Sequence, residues 1–310
     1  MNATVRWLVR RLLLTVLVTA GAATVAFAGM RLTPGDPVRT LLGSPPTPEL
    51  LRQVRHELGY DRPLLEQYGL FMGRLLRGDL GHSYQLQQPV ARVIGDQLWA
   101  TLELAAAGFL LAVTVATVLA VATAGRRPAL RRLAVALELL AISTPSFWTG
   151  VLLLTFFAFR WQVFPVISGS GPQGLVLPAV ALALSLVGVF AQVLREGLER
   201  ALEEPFALTS RARGSGETAV RIRHALRHAL IPMITLSGWC VGALLSGAVV
   251  IETIFSRQGL GRVMATAIAG RDLPVVTGVV VVSALAFSVI NLAVDGLYRV
   301  VDPRLRGAAL

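Results

Sequence analysis

Apolar and polar positions alternate along this chain on the scale of whole helices, not of single turns. Six charge-free apolar stretches stand out: Leu12–Met30, Leu104–Ala124, Leu139–Phe159, Leu175–Leu194, Ala229–Ile251 and Leu273–Val294. Each is about the 20 helical residues needed to cross a ~30 Å hydrocarbon core. Inside lipid only a helix satisfies its own backbone, so the pattern predicts six transmembrane helices in an all-α polytopic fold. Arg6, Arg10 and Arg11 precede the first stretch, and Ala26-Phe27-Ala28 imitates a signal-peptidase site. The run is longer than a usual signal core and five more follow, so it is read as a retained helix.

The polar intervals divide by charge. Residues 1–11, 125–138, 195–228 and 295–310 carry 17 of the 29 Arg. Residues 33–97 hold seven Arg and seven acidic residues. The positive-inside rule then places both termini in the cytoplasm and 33–97 outside. The reading has three parts: an N-terminal arm and first helix (1–32), an external insert (33–97), and a five-helix membrane core (98–310) with a cytoplasmic loop at 195–228.

Within the insert, Thr47-Pro48-Glu49 opens a short capped helix ending at Gly59, and Leu64–Leu76 is a second. In the loop, Glu196, Glu199, Glu203 and Glu204 lie near Arg195 and Arg200, so i,i+4 pairs can extend the fourth helix until Pro205 breaks it. Phe206, Ala207, Thr209, Ser210, Ala212 and Gly214 then form a small-residue segment suited to another protein's groove. Ala219–Leu230 returns toward the membrane as a helix.

Composition narrows the chemistry. Hydrophobic residues are 54% and charged residues 15%, with a mean hydropathy of +0.65. A soluble globule could not hide that surface. Every basic residue is Arg. Without Lys there is no P-loop and no Schiff base, so any ATP-driven step belongs to another chain. The basic excess is assigned to anionic lipid, not nucleic acid. The single Cys240 sits in an apolar run and is read as packing.

Polar residues inside the spans are the pathway candidates: Ser143, Thr144 and Ser146 around Pro145, Ser185 and Gln192 on the fourth helix, and Ser237 and Ser246 on the fifth. Helix packing competes with pathway lining at each. Asn291 and Asp295 share a face of the last helix and read as an interhelical or interfacial anchor. Glu138 receives the same reading. Glu103 and Glu252, at external helix ends, would pair with external Arg or face a pathway entrance. His224 and His228 have i,i+4 spacing, but crowding by Arg argues against a metal. No nucleophile–base pair supports an intramembrane enzyme. The charge-free cores disfavour a self-sufficient secondary transporter.

The residues also carry a resemblance. Pro34-Gly35-Asp36-Pro37, Leu58-Gly59-Tyr60-Asp61-Arg62-Pro63, Arg77-Gly78-Asp79-Leu80-Gly81-His82-Ser83 and Thr101-Leu102-Glu103-Leu104 occur in order. Pro145-Ser146-Phe147, Thr209-Ser210-Arg211-Ala212-Arg213-Gly214, Arg223-His224-Ala225-Leu226, Glu252-Thr253-Ile254-Phe255 and Asp302-Pro303-Arg304 follow. The chain resembles the permease subunits of dipeptide, oligopeptide and nickel ABC importers, nearly end to end. It departs from the family's pattern at Arg213 (usually Lys), Ser215 (usually Leu) and Gln258 (usually Pro).

The resemblance implies a type I ABC importer permease fold in a bacterial inner membrane. It implies a second homologous permease, two ATP-binding subunits (or one dual subunit) holding ATP and Mg²⁺, and an extracytoplasmic substrate-binding protein. No cofactor is expected on this chain. Di- or oligopeptide is the expected cargo, with nickel or a metal chelate as the alternative. Phe206, Ala207, Thr209, Arg211, Ala212, Arg213, Gly214, Ser215 and Glu217 would form the ATPase-coupling loop. Gln53, Glu252, Gln258 and Arg262 would belong to the rim that receives the binding protein.

Overall fold

In the computed structural model the described residues are 3–32, 37–42, 46–57, 59–126, 128–169 and 171–301. Helices account for nearly all of them. In chain order they are α1 (Ala3–Leu32), α2 (Pro37–Leu42), α3 (Pro48–Glu57), α4 (Leu64–Leu76), α5 (Val90–Thr123), α6 (Pro128–Ser143), α7 (Ser146–Leu153), α8 (Pro172–Glu203), α9 (Pro205–Ala212), α10 (Glu217–Ala219), α11 (Leu226–Ile254), α12 (Leu260–Ala269) and α13 (Leu273–Val301). Two π-helical turns, Leu154–Arg160 and Val220–Ala225, continue α7 and join α10 to α11.

Among the described residues, five helical stretches are long and apolar enough to cross a membrane: Val5–Gly29, Val90–Thr123, Pro172–Glu203, Glu217–Ile254 and Leu273–Val294. The expected third span, Leu139–Phe159, is not one straight helix. It divides into α6 and the α7 stretch, which meet at 97°. The cause is Pro145. Its ring excludes the preceding residue from helical backbone and it has no N–H to continue the ladder. Pro145 is extended (φ −61°, ψ 139°) and restarts the chain as the residue before α7.

The short elements follow local rules. The Leu50 N–H donates to the Thr47 hydroxyl at 3.3 Å, the N-terminal cap read from the sequence. Leu64–Leu76 is helical as expected. Phe27 of α1 packs edge-on against Tyr68 of α4 and tilted against Phe71, each at 5.4 Å.

The chain forms two compact units, and the division falls within α5 and α13. The first contains residues 1–99 and 259–289. Its apolar cluster joins Val90 and Ile94 to Leu260, Ala267, Val275 and Val279. Asp272 ties this unit together. It accepts hydrogen bonds from the Ser83 hydroxyl and from the Tyr84 and Gln85 N–H groups.

The second unit contains residues 100–258 and 290–310. Its core surrounds α8, whose Phe190, Leu194 and Leu198 are fully buried. Small residues let neighbours come close. A Cβ at Gly188 would lie 2.6 Å from the Glu138 carbonyl, and one at Gly197 2.9 Å from Ala229 Cα. The ion pairs of α8 run to another helix, while Arg200 donates to the Glu196 carbonyl of α8 itself at 3.3 Å. Arg195 pairs with Glu138 of α6, both side chains 4% exposed, and Arg131 pairs with Glu199 at 3.0 Å. The i,i+4 pairing expected for Arg195 and Glu199 is thus replaced by contacts to α6.

Candidate coupling helix and polar sites in the membrane core

The loop at 195–228 is ordered as α9, flanked by a break at Glu204 and a turn at Arg213–Gly216. Glu204 is extended (ψ 151°) and Pro205 occupies the first helical position, where its missing N–H costs nothing. At the other end the Gly214 N–H donates to the Arg211 carbonyl (2.9 Å) and the Ser215 N–H to the Ser210 carbonyl (3.1 Å). This is a Schellman cap, with Gly214 in the left-handed region at φ +84°. A side chain at 214 would meet nothing within 4 Å, so only backbone strain opposes it.

The faces of α9 are distinct. Ala207 and Ser210 are buried, and Phe206 stacks on His228 at 4.9 Å. His228 therefore serves as packing against α9. Thr209, Ala212 and Arg213 are exposed. Leu208 is exposed by 69%, an apolar side chain on a polar loop. It is not among the small residues that mark this segment in the sequence. The sequence offers no signal for it, because the exposure of Leu208 follows from the burial of Ala207 and Ser210. Arg211 is already engaged, with its guanidinium on Glu217 (2.7 Å) and on the Leu202 carbonyl (3.3 Å). Of the two cations offered for an outside partner, Arg213 remains exposed and Arg211 closes the loop on itself. Ser215 contributes its backbone to the cap, and Glu217 its carboxylate to Arg211.

The membrane polar residues separate in the same way. Ser237 is buried and donates to the Met233 carbonyl of its own helix (2.9 Å), which is packing. Ser185 donates to the Thr144 carbonyl (3.4 Å), a group beside the Pro145 break. The Thr144 hydroxyl donates to Leu140 (2.7 Å). Ser143 and Ser246 are exposed, while Ser146 and Gln192 are half-buried. Asn291 lies against α11, where a Cβ at Gly238 would come within 3.0 Å of its Oδ1. The side chain of Asp295, and the whole of Asp302-Pro303-Arg304, lie outside the described residues.

The rim residues also divide. Gln53, Gln258 and Arg262 are exposed. Glu252 is 0% exposed and accepts a hydrogen bond from the Thr101 hydroxyl at 2.6 Å. A carboxylate so enclosed needs donors from its own fold and cannot meet a docked protein. Arg257 donates to Glu103 at 2.6 Å, the pairing with an Arg expected for that residue.

Comparison with known proteins covers this whole arrangement. Residues 4–105 match the N-terminal family of binding-protein-dependent transport system membrane components, and 108–307 match the binding-protein-dependent transport system inner membrane component. A Brucella abortus (strain 2308) protein named as a peptide transport system permease is 37% identical over 92% of this chain and 93% of its own length. The glutathione transport system permease of Salmonella paratyphi A is 33% identical, covering 97% of this chain and 98% of its own. The dipeptide transport system permease of Alkalihalophilus pseudofirmus is 32% identical, covering 96% and 98%. Among solved structures, a chain of the inward-facing MetNI methionine ABC transporter superposes with a TM-score of 0.53 at 20% identity, over 69% of this chain and 96% of that one. That likeness concerns the fold. The chain belongs to the inner-membrane permease components of binding-protein-dependent transport systems, multi-pass proteins that work with a partner permease, an ATPase and a substrate-binding protein and are not themselves catalysts.

Proposed function

We propose that this chain forms, with a second homologous permease, the translocation path of an ATP-driven importer of di- and oligopeptides. The observation that carries the cargo class is the agreement among relatives matched nearly end to end, which are named for peptide, glutathione and dipeptide transport. Glutathione is itself a short peptide. ATP and Mg²⁺ belong to the ATPase subunits. The Arg-rich intervals put both termini in the cytoplasm, and Gln53, Gln258 and Arg262 then lie on the side where a binding protein would arrive. Ser143, Ser146, Gln192 and Ser246 are the pathway candidates whose side chains are neither buried nor hydrogen-bonded among the described residues.

Energy coupling is assigned to α9. Leu208 supplies the apolar anchor that Ser215 lacks, and Arg213 supplies orientation toward acidic groups of the ATPase. The cargo test is uptake of radiolabelled dialanine by proteoliposomes holding the full complex with its binding protein. Uptake should require hydrolysable ATP and both permeases. Vesicles that accumulate no peptide under these conditions, yet hydrolyse ATP, would overturn the cargo class.

The coupling test is Gly214→Val. Left-handed backbone costs a β-branched residue about 1–2 kcal/mol, enough to loosen the cap without unfolding the membrane core. The variant should insert and pair normally, retain less ATPase on co-purification and lose uptake. Leu208→Ser should lower ATPase retention with the cap intact. Normal retention and uptake in both would exclude a coupling role for α9.

A further inference from the structure

Two cavities of about 230 Å³ each lie in the first unit and share Tyr60, Phe71, Arg74 and Tyr84 as lining. Each has room for roughly seven waters, the scale of an amino acid or small headgroup. The first has a mixed wall, with Glu57, Arg62 and Gln67 added to the shared lining and Phe27 and Leu70 beside them. The second is lined by Asp79 and His82 and by apolar Leu80, Pro274 and Val281.

Three observations point to a ligand. Gln67 is 8% exposed, and its amide nitrogen donates to the Tyr60 carbonyl (3.3 Å) and the Arg62 carbonyl (2.6 Å). That fixes the amide's orientation and leaves Gln67 Oε1 with no partner among the described residues. A buried acceptor without a donor is costly. Second, Arg62 and Arg74 line the cavity without an ion pair among the described residues, and Glu57 stands on the same lining. Third, the Tyr60 and Tyr84 hydroxyls are 3.0 Å apart. Burial first, and Tyr60 second, push the Tyr84 phenol up, so that side chain presents a neutral O–H. Two cations, two carboxylates (Glu57 and Asp79), an unanswered acceptor and an adjoining lobe with a largely apolar wall are complementary to one kind of molecule.

We propose that this paired cavity binds a small zwitterion: its acid group held by Arg62 and Arg74, its ammonium by Glu57 and Gln67 Oε1, and its apolar portion in the second lobe. The same chemistry is offered by a free amino acid or short peptide and by a phosphatidylethanolamine headgroup. The site is independent of the cargo reading above, since none of its residues is a pathway candidate.

The test uses the full chain in nanodiscs of phosphatidylcholine and, in parallel, of phosphatidylethanolamine. The probe is a photoreactive diazirine analogue of glycyl-leucine, with adducts mapped by mass spectrometry. Adducts within residues 57–84, competed by unlabelled glycyl-leucine, are expected in phosphatidylcholine. Arg74→Gln should reduce them at least tenfold, and Arg62→Gln should do the same if the first variant fails to fold by circular dichroism. If the zwitterion is the headgroup, phosphatidylethanolamine will suppress the adducts and native mass spectrometry will find that lipid retained by the natural chain and lost in the variants. No enrichment of adducts at 57–84 together with no retained lipid would mean a water-filled cavity and overturn the proposal. Equal labelling in natural and variant chains would overturn it as well. Loss of dialanine uptake with labelling intact would sink the cargo reading alone.

Discussion

Helices α1 and α8 are both apolar enough to span a membrane, yet 6% of the apolar stretch of α1 is buried within the chain, against 67% for α8. Hydropathy reports the solvent a helix can tolerate. It does not report whether that solvent is lipid or protein. The difference lies in side-chain size and stray polarity. α8 carries Gly188 and Gly197 at close approaches and Arg195 in a buried pair. α1 shows large residues outward, with Leu13, Leu17 and Val25 exposed by 65%, 69% and 72%. In lipid, helices associate through small residues and polar contacts, because tails are as apolar as leucine. α8 has the means to be central, and the outward face of α1 is left to lipid or to another subunit.

The sharpest way to break this contrast is Gly188→Val. Its Cβ would fall 2.6 Å from the Glu138 carbonyl and 2.7 Å from the Ile142 side chain. The backbone carbonyl cannot move aside cheaply, so the expected outcome is loss of folded protein, seen as absence of a monodisperse peak after detergent extraction. Next is Arg195→Leu, which strands the Glu138 carboxylate. Removing one partner of a buried pair costs about 3–5 kcal/mol, read as a lowered thermal midpoint. Adding Glu138→Leu should restore most of that loss, since an apolar pair of similar volume is tolerated. Failure of the double variant to recover would mean that the charges are needed for more than neutralising each other.

A smaller effect is expected on α1. Leu13→Ala and Leu17→Ala should each change the thermal midpoint of the isolated chain little, within about 0.5 kcal/mol. If α1 faces the partner permease, the same changes will weaken co-purification of that partner, which would sharpen the comparison by naming what covers the helix. The smallest effect concerns the exposed pair His56 and Asp61, 2.7 Å apart. The hydrogen bond from His56 holds the Asp61 carboxyl below its usual range. A lowered carboxylate stabilises the fold above its unfolded value, near pH 4, and that contribution disappears as pH falls through the lowered folded value. Asp61→Asn should therefore remove a slight dependence of the midpoint on pH that sets in only as pH falls below about 4, and leave α8 untouched.

Much of the fold was legible because long apolar runs, Pro and Gly act locally. Thr47 capping α3, Leu64–Leu76 and the end of α8 before Pro205 are all short-range effects. The bend at Pro145 was harder, since Pro178 and Pro232 stay inside helices. A proline weakens a helix, and tertiary packing decides whether it breaks. The partners of charged residues were least legible. Glu252 looked like an exposed helix end but is enclosed with Thr101, a residue 151 positions away. Arg211 looked free for a partner subunit but finds Glu217. Candidate sites defined by exposure share this weakness. Leu208 stands out only once its neighbours Ala207 and Ser210 are seen to be buried, since leucine alone carries no directional signal.

The pair between Glu138 and Arg195 also has a consequence in time. The two residues are 57 positions apart. At a synthesis rate of ~5–20 residues per second, Glu138 is joined to the chain roughly 3–11 s before Arg195. Through that interval Glu138, at the cytoplasmic end of its span, lacks the Arg195 that meets it in the folded chain, and a carboxylate buried without its partner is destabilising. α6, short and ended by the Pro145 bend, is thus a poor candidate for settling alone. Its final seat in the membrane waits on the arrival of α8, and biogenesis of this half of the protein is a joint event of two helices separated by a third.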